Sequence, residues 1–127
     1  MAVRVVRLGT PRVPGEGLRI GTVRRPPRGV RKSEYAKRDF YDVWLPELAP
    51  SQGLVSLVLK DPAKHWKRFS ARYRAEMEKP PARNVLETLA ALSREADFSV
   101  GCYCQDERHC HRSLLRELLK EKGARLR

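Results

Sequence analysis

The chain has 127 residues, and its 27 Lys and Arg outnumber 15 Asp and Glu, which gives a net charge of +12 at pH 7. Apolar residues make up 41% of it, enough for one core and too many for a disordered chain. No apolar run approaches the roughly 20 residues of a membrane span, and residues 1–10 lack the apolar region of a secretory signal. We therefore expect a single domain over residues 1–127, no membrane association and a cytoplasmic location.

The positive charge indicates an anionic partner without identifying it. A field of this sign attracts nucleic acid, a phosphorylated ligand or a carboxylate alike, and it also keeps a small protein soluble. The arginine-rich sequence favours forked contacts to phosphate or carboxylate groups.

Three segments have the pattern of strands. Residues 3–8 alternate apolar and charged side chains, which is typical of a half-buried strand, and residues 18–23 are similar. Residues 97–104 are rich in β-forming side chains and predict a buried strand. We expect these strands in one small, mainly parallel sheet.

An arginine-rich segment follows the second strand. Arg24 to Gly29 contains two consecutive prolines, Pro26 and Pro27, which disfavour helix and strand pairing. The segment therefore holds Arg24 and Arg28 in an extended loop, where they are candidate anion-binding residues.

Helical patterns fill most of the remaining chain. The clearest covers residues 62–79, where Asp61 is a suitable N-cap and Pro62 occupies the first helical position. Further helices are predicted from Ser33 to before Pro46, over 51–59, over 82–96, and from Cys110 onward. The fold class predicted is α/β: a single three-layer domain whose sheet is covered by four or five helices.

One short segment concentrates the chemically active residues. Residues 102–112 contain all three cysteines and two of the three histidines. They run from a strand through a polar loop into a helix N-terminus, where α/β proteins place ligands. The candidate catalytic residues are Cys110 and His111, and Arg112 and Ser113 join the candidate anion-binding set.

A thiolate is the first chemistry that this segment favours. A cysteine at a helix N-terminus is stabilised as a thiolate by free backbone N–H groups and by neighbouring cations. Cys110, followed by His111 and Arg112, fits this description and would be a nucleophile toward a bound ligand. A capping role without chemistry is the alternative.

Zinc and simple packing are the competing interpretations. The three cysteines with His109 or His111 would make a Cys3His set. On a continuous strand, however, the side chains of Cys102 and Cys104 would lie about 6.5–7 Å apart on one face, unlike the usual zinc-binding turn. We therefore expect no metal and no cofactor, with Cys102 in the core and a reversible Cys104–Cys110 disulfide as a further option.

Motifs along nearly the whole chain resemble the YeaO-like branch of the family called domain of unknown function 488. The matching stretches are Arg24 with Pro27-Arg28-Gly29, WLPELAPS at 44–51, and Asp61-Pro62 with the aromatic residues and YRAE at 66–76. The ending GCYCQDERHCHRSLL at 101–115 resembles a Cys-His-Arg signature found elsewhere in the same family. Relatives carry Asp where this chain has Val23. The resemblance implies an α/β fold and two site segments, but no particular reaction.

The resemblance also implies that the two site segments lie together. If the strands before them are parallel neighbours, both segments leave the same edge of the sheet, and Arg28 and Arg112 would share one anion. We expect a phosphorylated or carboxylated small molecule as the partner, and leave open whether it is chemically converted. The alternative is a non-enzymatic protein that binds nucleic acid through its basic surface.

Overall fold

A computed structural model describes residues 1–104 and 107–127. It contains a sheet of four parallel strands in the order β1-β4-β2-β3. The strands are β1 (Val3–Arg7), β2 (Leu18–Gly21), β3 (Val43–Trp44) and β4 (Phe98–Cys102). The prediction of an α/β domain with a small parallel sheet is confirmed.

Four α-helices accompany the sheet: α1 (Gln52–Lys60), α2 (Pro62–Met77), α3 (Ala82–Leu92) and α4 (His111–Glu121). Asp61 caps α2 as predicted, because its side chain accepts a hydrogen bond from the backbone N–H of Lys64. None of the helices in the described ranges has the length and apolar character that crossing a bilayer requires.

The main core lies between the helices and one face of the sheet. Alternate strand residues such as Val3, Ile20, Phe98 and Val100 point toward the helices. The helices contribute Phe69, Tyr73, Met77, Leu86, Leu89, Leu115 and Leu119 to the same cluster. Burial of this apolar surface is the principal stabilising contribution to the fold.

Loop segments cover the opposite face of the sheet. The ring of Tyr41 packs directly on Gly21, where a Cβ atom would lie 2.4 Å from the ring. Arg19, also on this face, is held by side-chain and backbone groups of residues 10–39. Leu8, Val23, Tyr41, Cys102 and Cys110 form a second apolar cluster.

The helix predicted from Ser33 is wrong. The segment contains one 3-10 turn, Lys32–Glu34, then turns and the short strand β3. Asp39 has a φ of 61°, which a continuous helix does not permit. Its carbonyl accepts a hydrogen bond from Arg19, so tertiary contacts with β2 determine this backbone path.

Several predicted boundaries also change. The strand predicted over 97–104 ends at Cys102, and the helix predicted over 82–96 ends at Leu92. Within the predicted polar loop 105–109, the structure shows a 3-10 turn at Glu107–His109, and residues 105–106 lie outside the described part of the chain.

Candidate functional site

A cleft of about 1140 Å³ opens at the carboxyl ends of β2 and β4. These strands are parallel neighbours, with Gly21 paired to Gly101, so the segments that follow them leave the sheet side by side. The lining includes Arg24, Arg25, Pro26, Pro27 and Arg28 from one segment and Cys102, Tyr103, Cys104, His109, Cys110 and His111 from the other. The predicted convergence of the two segments is confirmed.

The first part of the arginine segment is fixed by hydrogen bonds to the surrounding chain. The indole N–H of Trp44 donates to the carbonyl oxygen of Val23 at 2.7 Å. The guanidinium of Arg24 donates through Nε to Pro50 O at 3.1 Å and through Nη2 to Ala49 O at 3.2 Å. Two of the Arg24 donors are therefore used in hydrogen bonds within the wall of the cleft.

Arg28 differs from the two arginines before it. Arg25 donates to Gln52 Oε1 at 3.2 Å, and its carbonyl accepts from the Tyr103 hydroxyl at 3.1 Å. Arg28 is exposed, lines the cleft and has no hydrogen bond or ion pair within the described ranges. Its guanidinium is therefore free to contact a ligand.

The three cysteines form one cluster at the floor of the cleft. Cys102, at the end of β4, is 1% exposed, and Cys110, the N-cap of α4, is 2% exposed. Their sulfur atoms lie 2.7 Å apart. The thiol of Cys104 is exposed and within hydrogen-bonding reach of both.

The expectation that one continuous strand carries both Cys102 and Cys104 is wrong. The strand ends at Cys102 and the chain bends at Tyr103, so a strand does not hold the two side chains apart on one face. Pairing of β4 with its neighbours stops at this point, at Cys102 with β1 and at Gly101 with β2. The bend creates a side-chain cluster that a continuous strand would not allow.

Negative charge in this cluster is most stable on Cys104. Hydrogen bonds from the Cys102 and Cys110 thiols lower the pKa of Cys104 against the opposing effect of burial, and the positive charge of Arg112 adds to the lowering. Donation to Cys104 and burial raise the pKa of Cys102. Cys102 donates to Cys110, but interaction with Cys104 and burial still raise the Cys110 pKa. The thiolate predicted at Cys110 stays a prediction, and the structure adds Cys104 as the exposed sulfur.

His111 is held in one orientation by Thr22, which directly follows β2. Its Nε2 atom lies 2.8 Å from the Thr22 carbonyl oxygen and 3.1 Å from Thr22 Oγ1. Because a carbonyl oxygen only accepts, Nε2 carries the proton and Nδ1 has the free lone pair. Nδ1 faces Cys110 Sγ at 3.8 Å. Burial lowers the pKa of His111 to about 4, so the imidazole is neutral at pH 7.

Arg112 and Ser113 form hydrogen bonds to the backbone carbonyls of two site cysteines. Arg112 is 4% exposed, its Nη2 donates to Cys104 O at 2.5 Å, and its Nε has no hydrogen-bond partner. The Ser113 hydroxyl donates to Cys110 O at 3.0 Å. Neither residue is among the described side chains that line the cleft. The sharing of one anion by Arg28 and Arg112 stays a prediction.

One group of side chains has the donor atoms and proximity that metal binding requires. Within the part of the chain that the structure describes, Cys102, Cys110 and His111 bring one ligand atom each to within 4.8 Å of the others. All three are buried.

Sequence reasoning missed the role of Thr22 and the separate position of Cys104. Thr22 lies inside the strand predicted over 18–23, and only the earlier end of that strand, at Gly21, puts it at the carboxyl end of the sheet, where ligand sites of parallel sheets lie. The bend before Cys104 has no comparable signal, because Gly101-Cys102-Tyr103 is compatible with a continuous strand.

A family model matches nearly the whole chain. A family model, DUF488-N3a, described as the active DUF488-N3 subclade, matches residues 3–123. The chain therefore belongs to this family, and the match includes both segments of the cleft. Placement in the YeaO-like branch is not confirmed. Searches of curated proteins and of solved structures find no match.

Proposed function

We propose that this member of the DUF488-N3a family binds a phosphorylated or carboxylated small molecule in the cleft between the arginine segment and the Cys-His-Arg turn. One observation carries the proposal: the described lining contains Arg24, Arg25 and Arg28 and no carboxylate. Positive charge without a built-in counter-charge attracts an anion. Guanidinium groups bind phosphate and carboxylate oxygens through paired, charge-assisted hydrogen bonds.

The arginines have different tasks in this proposal. Arg24 and Arg25 hold the wall, because backbone carbonyls and Gln52 already accept their hydrogen bonds. Arg28 contacts the anion, since it lines the cleft with its donors free within the described ranges. Arg112 acts indirectly, by holding the carbonyl of Cys104.

The rest of the cleft favours a ligand with an apolar or aromatic body. Its described walls include Pro27, Phe40, Val55, Phe69 and Tyr103. The volume of about 1140 Å³ is that of a site for a small organic molecule and exceeds what a simple inorganic anion needs. An aromatic phosphate or carboxylate combines the two properties.

Sulfur chemistry is available to a ligand bound in this way. Cys104 is exposed, whereas Cys102 and Cys110 are buried, so Cys104 is the sulfur that the ligand reaches first. A phosphoryl or carbonyl group held by Arg28 would then face a sulfur nucleophile. The sequence predicts the nucleophile at Cys110. In this proposal the attacking sulfur is that of Cys104, which is exposed, and Cys110 is its buried neighbour.

Thermal melts with and without inorganic phosphate, pyrophosphate or phenyl phosphate test the proposal. A ligand that binds only the folded protein raises the melting temperature. We expect this rise in the wild type, a reduced rise in Arg28→Lys, which keeps the charge but loses the fork, and almost none in Arg28→Gln. Arg31→Gln is the matched control, because Arg31 is exposed and lies outside the described lining.

Equal rises in Arg28→Gln and Arg31→Gln would contradict the cleft as the binding site. The same variants address the nucleic-acid alternative. Binding of an oligonucleotide through a basic surface falls log-linearly with added salt and is weakened similarly by both substitutions. A small anion in the cleft depends on Arg28 alone and loses much less affinity with salt.

A further inference from the structure

Three soft or borderline donors meet at the floor of the cleft, and a fourth follows in the adjoining chain. Cys102 Sγ and Cys110 Sγ are 2.7 Å apart, and His111 Nδ1 is 3.8 Å from Cys110 Sγ. The ligand atoms of these three residues all lie within 4.8 Å of one another, whereas the thiol of Cys104, two residues after Cys102, is exposed and lies outside this group. β4 and the chain's turn beyond it supply two of these donors, and the beginning of α4 supplies the other two.

The orientation of His111 is that of a metal ligand. Nε2 donates to the carbonyl oxygen of Thr22 at 2.8 Å, which leaves the lone pair of Nδ1 directed at the sulfur cluster. Histidines that bind metals commonly donate their second nitrogen to a carbonyl or carboxylate in this way. In the metal-free protein the same lone pair faces the Cys110 thiol at 3.8 Å.

We infer that Cys102, Cys110 and His111 bind one zinc ion at the floor of the cleft, and that Cys104 turns inward to complete the site as the fourth ligand. Three thiolates and one imidazole are a common structural zinc set, and their softness selects zinc over magnesium or calcium. Cys102, Cys110 and His111 are the buried ligands, and Cys104 is the ligand on the cleft side. The inference goes beyond the binding of an anion by Arg28 and does not depend on it, and the sulfur chemistry proposed for Cys104 then belongs to the metal-free protein.

The buried charge of Arg112 fits this assignment. Zinc with three thiolates leaves one net negative charge in the site. Arg112 is 4% exposed and has no ion pair to a carboxylate among the side chains described in residues 1–104 and 108–127. Its guanidinium donates to the carbonyl of Cys104 and therefore lies where it offsets that charge. A buried cation without any counter-charge would be costly.

Binding requires only a small rearrangement of the sulfurs. Tetrahedral zinc with Zn–S distances of about 2.3 Å places two sulfurs about 3.8 Å apart. The sulfurs of Cys102 and Cys110, now 2.7 Å apart, would separate by about 1 Å, which small side-chain rotations provide. Since β4 ends at Cys102, pairing within the sheet does not oppose the movement of Cys104.

Titration of the reduced, metal-free protein with Co²⁺ and then Zn²⁺ tests the inference. We expect one equivalent of Co²⁺ to give a tetrahedral spectrum with thiolate-to-metal absorption, and Zn²⁺ to displace it. Cys110→Ser and His111→Asn should each weaken Zn²⁺ binding by more than about 100-fold, since even second-shell changes cost 10–100-fold. His109→Asn is the matched control and should bind like the wild type.

Three results would overturn the inference: no stoichiometric binding, binding unchanged by Cys110→Ser, or dependence on His109 in place of His111. Should a variant fail to fold, X-ray absorption of the zinc-loaded wild type decides, with three sulfurs and one nitrogen expected and any other donor count contradicting it. Arg28→Gln should bind zinc normally. Because the phosphate melts are run on metal-free protein, failure of the zinc site and failure of the anion site are distinguishable.

Discussion

The chain contains two buried arginines whose surroundings differ sharply. Arg19 in β2 is 1% exposed, and its guanidinium meets the Glu16 carboxylate at 2.7 and 2.9 Å and the carbonyls of Thr10 and Asp39 at 2.8 and 2.7 Å. Arg112 in α4 is 4% exposed, donates to the carbonyl of Cys104 and leaves Nε without a partner.

The difference separates a buried charge with a carboxylate partner from one that has no described carboxylate partner. Burial of a charge is costly unless hydrogen bonds and an opposite charge compensate for it. Glu16 supplies both for Arg19, and Ser99 donates a further hydrogen bond to the same carboxylate at 2.9 Å. Nothing comparable accompanies Arg112 among the described side chains, where the cysteines are the groups nearest to it that can carry negative charge.

The largest effect should follow the loss of Arg19. Arg19→Met leaves the Glu16 carboxylate buried without its partner, and removal of one member of a buried pair costs about 3–5 kcal/mol. Urea denaturation should show this loss in the free energy of unfolding. Arg72→Met, at an exposed position on α2, is the control and should change it by less than about 0.5 kcal/mol.

Low pH should also remove the stabilisation that comes from the Arg19–Glu16 ion pair. Although burial opposes the shift, hydrogen bonds from Arg19 and Ser99 lower the pKa of Glu16. Stability from this pair is therefore present above the unfolded pKa of about 4.3 and is lost as the pH falls through the folded pKa. Arg19→Met should lose less stability than the wild type between pH 5 and pH 3. Parallel losses in both proteins would show that the pair does not contribute.

This pair also marks the limit of what the sequence could predict. The alternation in β1 and the cap at Asp61 are local signals, and both elements form as predicted. Arg19 forms hydrogen bonds with residues 10, 39 and 42 in addition to its pairing with Glu16. The contacts with residues 39 and 42 determine the backbone path after Ser33. They join segments that are distant in sequence, so local patterns predict a helix there and miss this path.

Arg112→Met should be less damaging than Arg19→Met. The substitution removes the hydrogen bond to Cys104 O and leaves no described carboxylate unpaired, so the expected cost is about 1.5–3 kcal/mol. Urea denaturation of metal-free protein compares the two variants directly. A loss equal to that of Arg19→Met would mean that Arg112 already has a full counter-charge in the folded protein.

Alkylation of the reduced, metal-free protein should distinguish the three thiols. Cys104 is exposed, whereas Cys102 and Cys110 are 1% and 2% exposed and react only after local opening. Even ~1.4 kcal/mol of opening free energy slows a reaction tenfold. Peptide mapping after a short iodoacetamide pulse should therefore find Cys104 modified first. Cys110 reacting as fast as Cys104 would show that the helix N-terminus is open in solution.

The sequence predicts the two segments of the site, but it does not predict all the side-chain contacts within it. Arg28 and the Cys-His-Arg turn stand out by composition, and parallel pairing of β2 with β4 brings them together as expected. The cluster of three thiols depends on a bend after Cys102 that no local pattern requires. The orientation of His111 depends on Thr22, which is 89 residues away in sequence.

A map of where an organic phosphate binds tests the cleft as the anion site most directly. Backbone amide resonances of the metal-free protein, followed during titration with phenyl phosphate, report the location of the ligand. Binding in the cleft predicts saturable shifts confined to the residues that line it and their neighbours, among them Arg28, Phe40, Val55, Phe69 and Tyr103, and their loss in Arg28→Gln but not in Arg31→Gln. Shifts spread over the basic surface of α2, or shifts at the cleft that survive in Arg28→Gln, would contradict it.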